Sequence, residues 1–340
     1  MDFYKLTRAL LFRLDPEKAH HLTLAGLRMM MRLKAHSLLA PGIRSEPVEV
    51  MGIKFPNRVG LAAGLDKAGN CISAFGAMGF GCVEVGTITP LAQIGNPKPR
   101  LFRVREREAI INRMGFNNPG IDEALKNIAL SRKGFEGILG INIGKNKDTG
   151  NAQAIDDYLT CFRKAYPAAD YIAVNISSPN TAGLRDLQLP ENAGNLLSRL
   201  KQEQQKLHEQ SGQFVPFAVK IAPDMEQDQI LALAELFNSL QIDAVIATNT
   251  TIRRDNLQDL PHANEKGGLS GSPLAKQSTE VIAALYKVMD KAIPIIGAGG
   301  IDSAQEARAK IDAGAKLVQI YTGLIYRGPS LVSELLSAKL

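Results

Sequence analysis

Eight short apolar runs, separated by stretches of helical spacing, constrain this chain more than any other feature. They are Val59–Ala63, Cys82–Val85, Ile138–Ile143, Tyr171–Ile176, Phe214–Ile221, Ala244–Ala247, Ile293–Gly297 and Leu317–Tyr321. Apolar and polar residues do not alternate within them, so each reads as a strand buried on both faces, as in a parallel sheet covered by helices. Helical stretches follow several of them: Asn70–Met78, Asp156–Ala165, Leu196–Glu209, Gln227–Leu240, Ser278–Val288 and Ser303–Ala313. Eight such units predict a closed (β/α)8 barrel, the TIM barrel, with a doubly wound open sheet as the alternative on pattern alone. The chain's 340 residues, 45% of them hydrophobic, are enough to fill so large a core. Val48–Val50 and Ile53–Phe55 flank Met51-Gly52 and read as a small hairpin closing the barrel bottom.

The first forty residues differ in kind. Phe3, Leu6, Leu10 and Leu14 recur at helical spacing. Asp15-Pro16 then supplies an N-cap followed by proline at the first helical position. That second helix runs through Leu22, Met29, Met30 and Leu33, and Pro41-Gly42 ends the segment. Residues 1–44 carry +5 of the chain's net charge of +6. A nucleic-acid binder would spread its basic residues over the main fold, so none is expected as a partner. No apolar run reaches the ~20 residues of a membrane span, and no secretory signal pattern opens the chain. Cys71, Cys82 and Cys161 lack CxxC spacing and read as reduced thiols in a cytoplasm-facing protein. The five histidines show no metal-binding arrangement, so no metal is expected.

In a (β/α)8 barrel the active site lies at the C-terminal ends of the strands. Here the runs end in Gly64-Leu65-Asp66-Lys67, Gly86-Thr87, Gly144-Lys145-Asn146, Asn175-Ile176-Ser177-Ser178-Pro179-Asn180-Thr181, Thr248-Asn249-Thr250, Gly297-Ala298-Gly299-Gly300 and Tyr321-Thr322-Gly323. One polar strand end is an ordinary turn; a full ring of Lys, Asn, Thr and Ser reads as a site. Gly299-Gly300 and Thr322-Gly323 follow strands seven and eight, where many barrels bind phosphate through backbone N–H groups; two tight turns are the plainer alternative. GAGGID at 297–302 is not a dinucleotide fingerprint, because Asp302 stands where glycine is required, and GKNKDTG at 144–150 is not a P-loop. Lys220 lies inside an otherwise apolar strand and needs a partner, since an unpaired buried ammonium costs several kcal/mol. An anionic cofactor ring would serve; a lysine snorkelling to the surface is the alternative.

LAAGLDK (61–67), INRMGFNNPG (111–120), GINIGKNKDT (140–149), NISSPNTAGLR (175–185), KIAPD (220–224), ATNTT (247–251), GGLSG (267–271), IIGAGGI (295–301) and VQIYTG (318–323) occur in this order. Together they resemble dihydroorotate dehydrogenase, in its class 2, membrane-associated, quinone-linked branch. The resemblance spans nearly the whole chain, N-terminal helices included. It implies one FMN per chain and oxidation of (S)-dihydroorotate to orotate in pyrimidine synthesis, with electrons passing to a membrane quinone. Residues 1–44 would be the helical quinone- and membrane-binding segment, and 45–340 the FMN-binding barrel.

The resemblance also implies roles. Ser178 would be the general base, where the cytosolic branch uses cysteine. Lys67, Asn112, Arg113, Met114, Gly115, Phe116, Asn175, Asn180, Asn249 and Thr250, with Asn117, would surround the substrate, and Lys67 would face its carboxylate. Ala63, Gly64, Leu65, Asp66, Lys67, Thr87, Asn142, Asn175, Lys220, Thr248, Gly271, Gly300, Tyr321 and Thr322 would contact FMN, with Lys220 answering negative charge on the reduced ring. Residues 90–119 would fold over the barrel mouth, and 183–190 would form a mobile lid. His20 and Arg103 would line a quinone tunnel. The basic helices would rest on an anionic lipid surface, placing the protein peripherally on the cytoplasmic side of the inner membrane. No obligate protein partner is implied.

Overall fold

The computed structural model describes residues 3–35, 39, 46–255 and 257–340. The expected terminator Pro41-Gly42 and the segment boundary at Arg44 lie outside them. The eight runs form a closed parallel barrel, with strands Val59–Leu61, Cys82–Ile88, Ile138–Ile143, Tyr171–Asn175, Phe217–Ile221, Ala244–Ala247, Ile295–Ala298 and Ala315–Ile320. Each pairs with its neighbour in chain order, and the eighth closes onto the first through Val318–Val59 and Ile320–Leu61. The fourth and fifth strands are buried at every position, as their unbroken apolar runs require. The fifth begins later than its run, because Phe214 stays half exposed before the sheet.

Helices Ile72–Ala77, Ala154–Ala165, Pro190–Ser211, Gln227–Ser239, Ala275–Val288 and Ala304–Asp312 stand where helical spacing placed them. Pro190 starts its helix six residues earlier than the apolar spacing suggests, filling the first helical position, where proline lacks no needed donor. Three helices go beyond the sequence pattern: Ile121–Ser131 before the third strand, and Thr322–Arg327 and Pro329–Ser337 after the eighth.

The hairpin forms as expected, pairing Val48 with Phe55 and Val50 with Ile53. Its Val50 and Phe55 join Tyr171, Ala218, Ile246 and Leu317 in a cluster that plugs the barrel's lower end. Residues 90–119 add what the pattern did not foretell. Leu101–Val104 and Ala109–Asn112 pair antiparallel, and Gly268–Gly271, from beyond the sixth barrel strand, adds a third strand beside them. This sheet has its own core of Phe102, Val104, Ile111, Leu257 and Leu269. A four-residue partner rich in glycine and far off in the chain carries no strand signal of its own.

The N-terminal helices are Phe3–Leu11 and Pro16–Arg32. The Asp15 side chain caps the second, accepting from Glu17 N at 3.1 Å and Lys18 N at 3.0 Å. Part of their apolar surface faces outward: Leu6 is 57% exposed, Leu10 64% and Leu22 56%, as is Leu33, just past the second helix, at 70%. The face turned to the barrel buries Ala19, Leu24 and Leu27 together with Glu17, whose carboxylate accepts from Arg100 Nη2 at 2.7 Å and Nε at 3.2 Å. Burial opposes ionisation of Glu17, but the hydrogen bonds and charge of Arg100, with Lys98, hold its carboxyl below the usual range. Both partners are 5% exposed. Arg100→Leu should therefore cost about 3–5 kcal/mol, because it leaves a buried carboxylate without its fork. Urea unfolding followed by circular dichroism should also show Glu17→Leu/Arg100→Leu to be more stable than the single variant; equal stability would mean the pair is not coupled.

Candidate functional site

A cleft opens at the C-terminal ends of the barrel strands and is built upward from a buried carboxylate. Gly140 has no room for a side chain: a Cβ there would stand 2.3 Å from Cζ of Tyr171. The Tyr171 ring fills that space and donates its hydroxyl to Glu84 Oε2 at 2.9 Å. Glu84 has no exposed surface. It also accepts from Asn142 Nδ2 and Gln319 Nε2, each at 2.8 Å, and Lys220 Nζ lies 3.5 Å away. Burial and the adjacent carboxylate push the Tyr171 hydroxyl far above its ordinary range, so it remains a donor. Lys220 thus has a protein partner that the sequence left open. Glu84 was overlooked because it lies within an apolar run, yet a lone acid in such a run is itself a signal of a buried charge pair.

Above this floor the strand-end amides interlock. Thr87 Oγ1 donates to Asn142 Oδ1 at 2.5 Å and accepts from Asn175 Nδ2 at 2.9 Å. Asn249 Nδ2 donates to Asn175 Oδ1 at 3.3 Å and to Ser177 Oγ at 3.0 Å. Asn180 Nδ2 donates to Asn112 Oδ1 at 3.2 Å, and its backbone N–H donates to Ser178 Oγ at 3.2 Å. Ser178 is 6% exposed and lines the cleft. Lys67 Nζ donates to Gly64 O at 2.6 Å. Burial lowers the Lys67 pKa to about 8, with Glu17 opposing and Arg100 adding to the shift. Cis peptides join Gly86 to Thr87 and Ala247 to Thr248 at the cleft wall.

The cleft takes in nearly all the residues singled out from the sequence: Ala63, Gly64, Lys67, Thr87, Asn112, Met114, Gly115, Phe116, Asn175, Ser178, Asn180, Lys220, Thr248, Asn249, Thr250, Gly271, Gly300, Tyr321 and Thr322. Seven lie off its wall. Leu65 is core. Asp66 accepts from the N–H groups of Asn70 at 3.0 Å and Cys71 at 2.7 Å, so it shapes the turn beneath Lys67. Asn142 braces the floor, and Asn117 lies outside the lining. Arg113 pairs with Glu265 at 2.6 Å and stands over the Phe102 ring at 4.6 Å. Arg103 packs on the Phe12 ring at 4.5 Å and donates to Leu14 O at 3.0 Å. His20 is held near pKa 3 by burial first and then by the charge of Lys67, so it is a neutral imidazole.

Residues absent from the sequence-based set also line the cleft: Gln319, Glu108, Ser270, Ser272 and Asp302. Gln319 Oε1 is buried without a hydrogen-bond partner, as is the hydroxyl of Thr181. A buried acceptor left open in a cleft floor suits a donor on a bound group. The glycine-rich end, Gly271, Gly299, Gly300 and Gly323, brings bare backbone to the wall, which suits an anionic group. No set of acidic, histidine or cysteine side chains able to hold a metal ion occurs among the described residues.

The sequence model of the family described as dihydroorotate dehydrogenase matches residues 46–338. The dihydroorotate dehydrogenase (quinone) of Nitrosomonas europaea is 57% identical over 98% of this chain and 96% of its own length. That of Idiomarina loihiensis is 55% identical over 98% and 99%. Among solved structures, ligand-free DHODH from Eimeria tenella superposes with a TM-score of 0.85 at 39% identity, covering 95% of this chain and 94% of its own. The same protein in complex with ferulenol gives 0.86 at 36% identity, covering 95% and 90%.

Glu84→Gln tests the floor. The amide NH2 would confront the donors Tyr171, Asn142 and Gln319, so stability should fall by about 1–3 kcal/mol. Thermal unfolding of wild type and variant measures it, and an unchanged midpoint would show that the carboxylate is not needed there.

Proposed function

The chain belongs to the dihydroorotate dehydrogenase family, and on that premise we propose how its cleft works. It oxidises dihydroorotate to orotate in pyrimidine biosynthesis and uses a quinone as electron acceptor. FMN fits the cleft: the open Gln319 Oε1 suits a ring donor, the Lys220 ammonium lies at the floor, and the glycine-rich end suits a phosphate. Held there by Lys220, Gln319 and the glycine-rich end, FMN would supply an acceptor for the hydride of dihydroorotate C6 and a donor of the two electrons to the quinone.

The chain's own residues manage the proton and the substrate's edges. Ser178 Oγ is proposed as the base that takes the C5 proton. The observation that carries this is its position: a nearly buried hydroxyl at the end of strand four, inside the cleft, with the amides of Asn112, Asn175, Asn180 and Asn249 around it. Amides offer a donor and an acceptor each, which suits a ring carrying both N–H and C=O groups. Lys67 supplies a positive charge for the substrate carboxylate. A hydroxyl is a weak base alone and must hand its own proton onward. Thr181, three residues on and with its buried hydroxyl unpartnered, would relay that proton, giving up its own to water as the final acceptor. Arg185 pins the proposed lid: it donates to Ser177 O at 3.1 Å, Asp224 Oδ2 at 2.9 Å and Thr250 O at 2.9 Å. One guanidinium thus ties the lid to the ends of strands four, five and six and excludes water from the base.

The outward leucines of the N-terminal helices, set among basic residues, suit an anionic membrane surface, and His20, half-buried near Lys67 and Glu17, and Arg103, on the Phe12 ring, are proposed to line a quinone path from that surface to the cleft. No helix among the described residues is long and apolar enough to cross a membrane. Peripheral attachment at the cytoplasmic side of the inner membrane is the proposed location.

Ser178→Ala should retain FMN and bind orotate, yet its flavin should be reduced by dihydroorotate ~10²–10⁴-fold more slowly. Stopped-flow absorbance at the flavin band reads this, and a rate within about twofold of wild type would remove Ser178 as the base. Leu6→Glu/Leu10→Glu/Leu22→Glu should leave that half-reaction intact and abolish co-sedimentation with anionic vesicles. Undiminished sedimentation would show that another surface meets the lipid.

A further inference from the structure

Behind the glycine-rich end of the cleft lies a charge that the mechanism does not use. Lys310, on the helix Ala304–Asp312, has no exposed surface. Its Nζ donates to Ala275 O at 2.7 Å and to Thr279 Oγ1 at 2.6 Å, both neutral acceptors on the neighbouring helix Ala275–Val288. Glu306, one turn earlier on the same helix, is the one charged group that acts on it appreciably, and burial outweighs it, drawing the Lys310 pKa down to about 8. An ammonium taken from water with neutral partners alone keeps most of its desolvation cost.

On the other side of Ala275 is the cleft. A Cβ on Gly300 would lie 2.3 Å from both N and Cα of Ala275. The Gly300 backbone therefore rests on the residue whose carbonyl Lys310 holds. Ala275 opens its helix directly after Ser272 and Leu274, which line the cleft, so the Lys310 ammonium stands behind that wall with Ala275 between. A charge in the protein interior acts across such a layer more strongly than it would through water. The cleft wall needs such help. Its lining cations are Lys67 and Lys220, on the first and fifth strand ends, whereas Glu108 and Asp302 line it alongside the glycines. A phosphate dianion there would meet carboxylates and backbone, but no lining cation.

Building on the FMN reading, we infer that Lys310 is a positioning residue for the cofactor's phosphate, supplying from behind Ala275 the counter-charge that the cleft wall lacks. The mutual need is symmetric. The anion lacks a cation at the wall, and the buried ammonium has hydrogen bonds to neutral acceptors only, with Glu306 too weak to offset its burial.

A purely structural lysine, tying two helices together, would leave flavin selectivity unchanged. The purified flavin-loaded protein is therefore equilibrated with excess riboflavin, which has the same ring without the phosphate, and the retained FMN is quantified. Lys310→Met should lower the preference for FMN over riboflavin by roughly tenfold or more, the scale of losing one buried charge near a dianion. Lys310→Gln, still able to donate a hydrogen bond, should do the same, and it serves if the methionine variant does not fold. Thr279→Val removes an acceptor but keeps the charge, and should stay within about twofold of wild type. An unchanged preference in both Lys310 variants, or an equal loss in Thr279→Val, would overturn the inference. In that case wild type would still carry FMN and the cofactor reading would stand; a wild-type protein that binds no flavin would overturn both.

Discussion

The Glu84 carboxylate, sealed inside the barrel, is the constraint on which the cleft depends. Alone it would be intolerable there; with Tyr171, Asn142 and Gln319 donating to it and Lys220 beside it, its lone pairs are met. Each of those partners is thereby fixed in one orientation. Asn142, held by Glu84, presents its other atom to Thr87, which in turn orients Asn175 and through it Asn249. The strand-end amides are therefore not free side chains on a rim. They form the top of a polar column that starts in the barrel core, and a buried network of this kind specifies a single arrangement when fully satisfied. Gln319 Oε1 is the open acceptor of that column at the cleft floor, which is where a bound ring would complete it.

The N-terminal helices bury Leu24 and Leu27 in the ordinary way but depart from it at two points. A helix docked on a soluble domain ordinarily buries its apolar stripe and exposes its charges. Here Glu17 is buried against Arg100 while leucines on the other face stand in the open. The ion pair gives the attachment a defined geometry beside the buried Leu24 and Leu27, and the outward leucines stay uncovered. The same packing brings His20 close enough to Lys67, on the cleft wall, for the charge of Lys67 to act on it, so the N-terminal segment borders the cleft.

Much of this was legible in the residues themselves. Eight unbroken apolar runs with helices between them admit few folds, because parallel strands covered on both faces need crossover helices and close most readily as a barrel. The Asp15 cap, the Met51-Gly52 hairpin and the ring of polar strand ends follow from local chemistry that acts over a few residues, and nine ordered motifs tied that ring to a family. What stayed hidden involved partners far apart in the chain. The sheet that pairs Ala109–Asn112 with Gly268–Gly271 carries no local strand signal on one side. Glu84, a lone acid in an apolar run, signals a buried charge, but its partners and the burial of Lys310 could not be read from their neighbours in sequence, since burial is a property of the closed barrel and not of a run. Nor did helical spacing reveal which face of the first helices would be covered, because an apolar stripe looks the same whether it meets a core or a bilayer. Periodicity and strand-end chemistry thus determined the architecture and the rough address of the site. Only the tertiary structure decided which charges are buried and what answers them, because the cost of a charge depends on the solvent it loses, and that loss exists only once distant segments have closed around it.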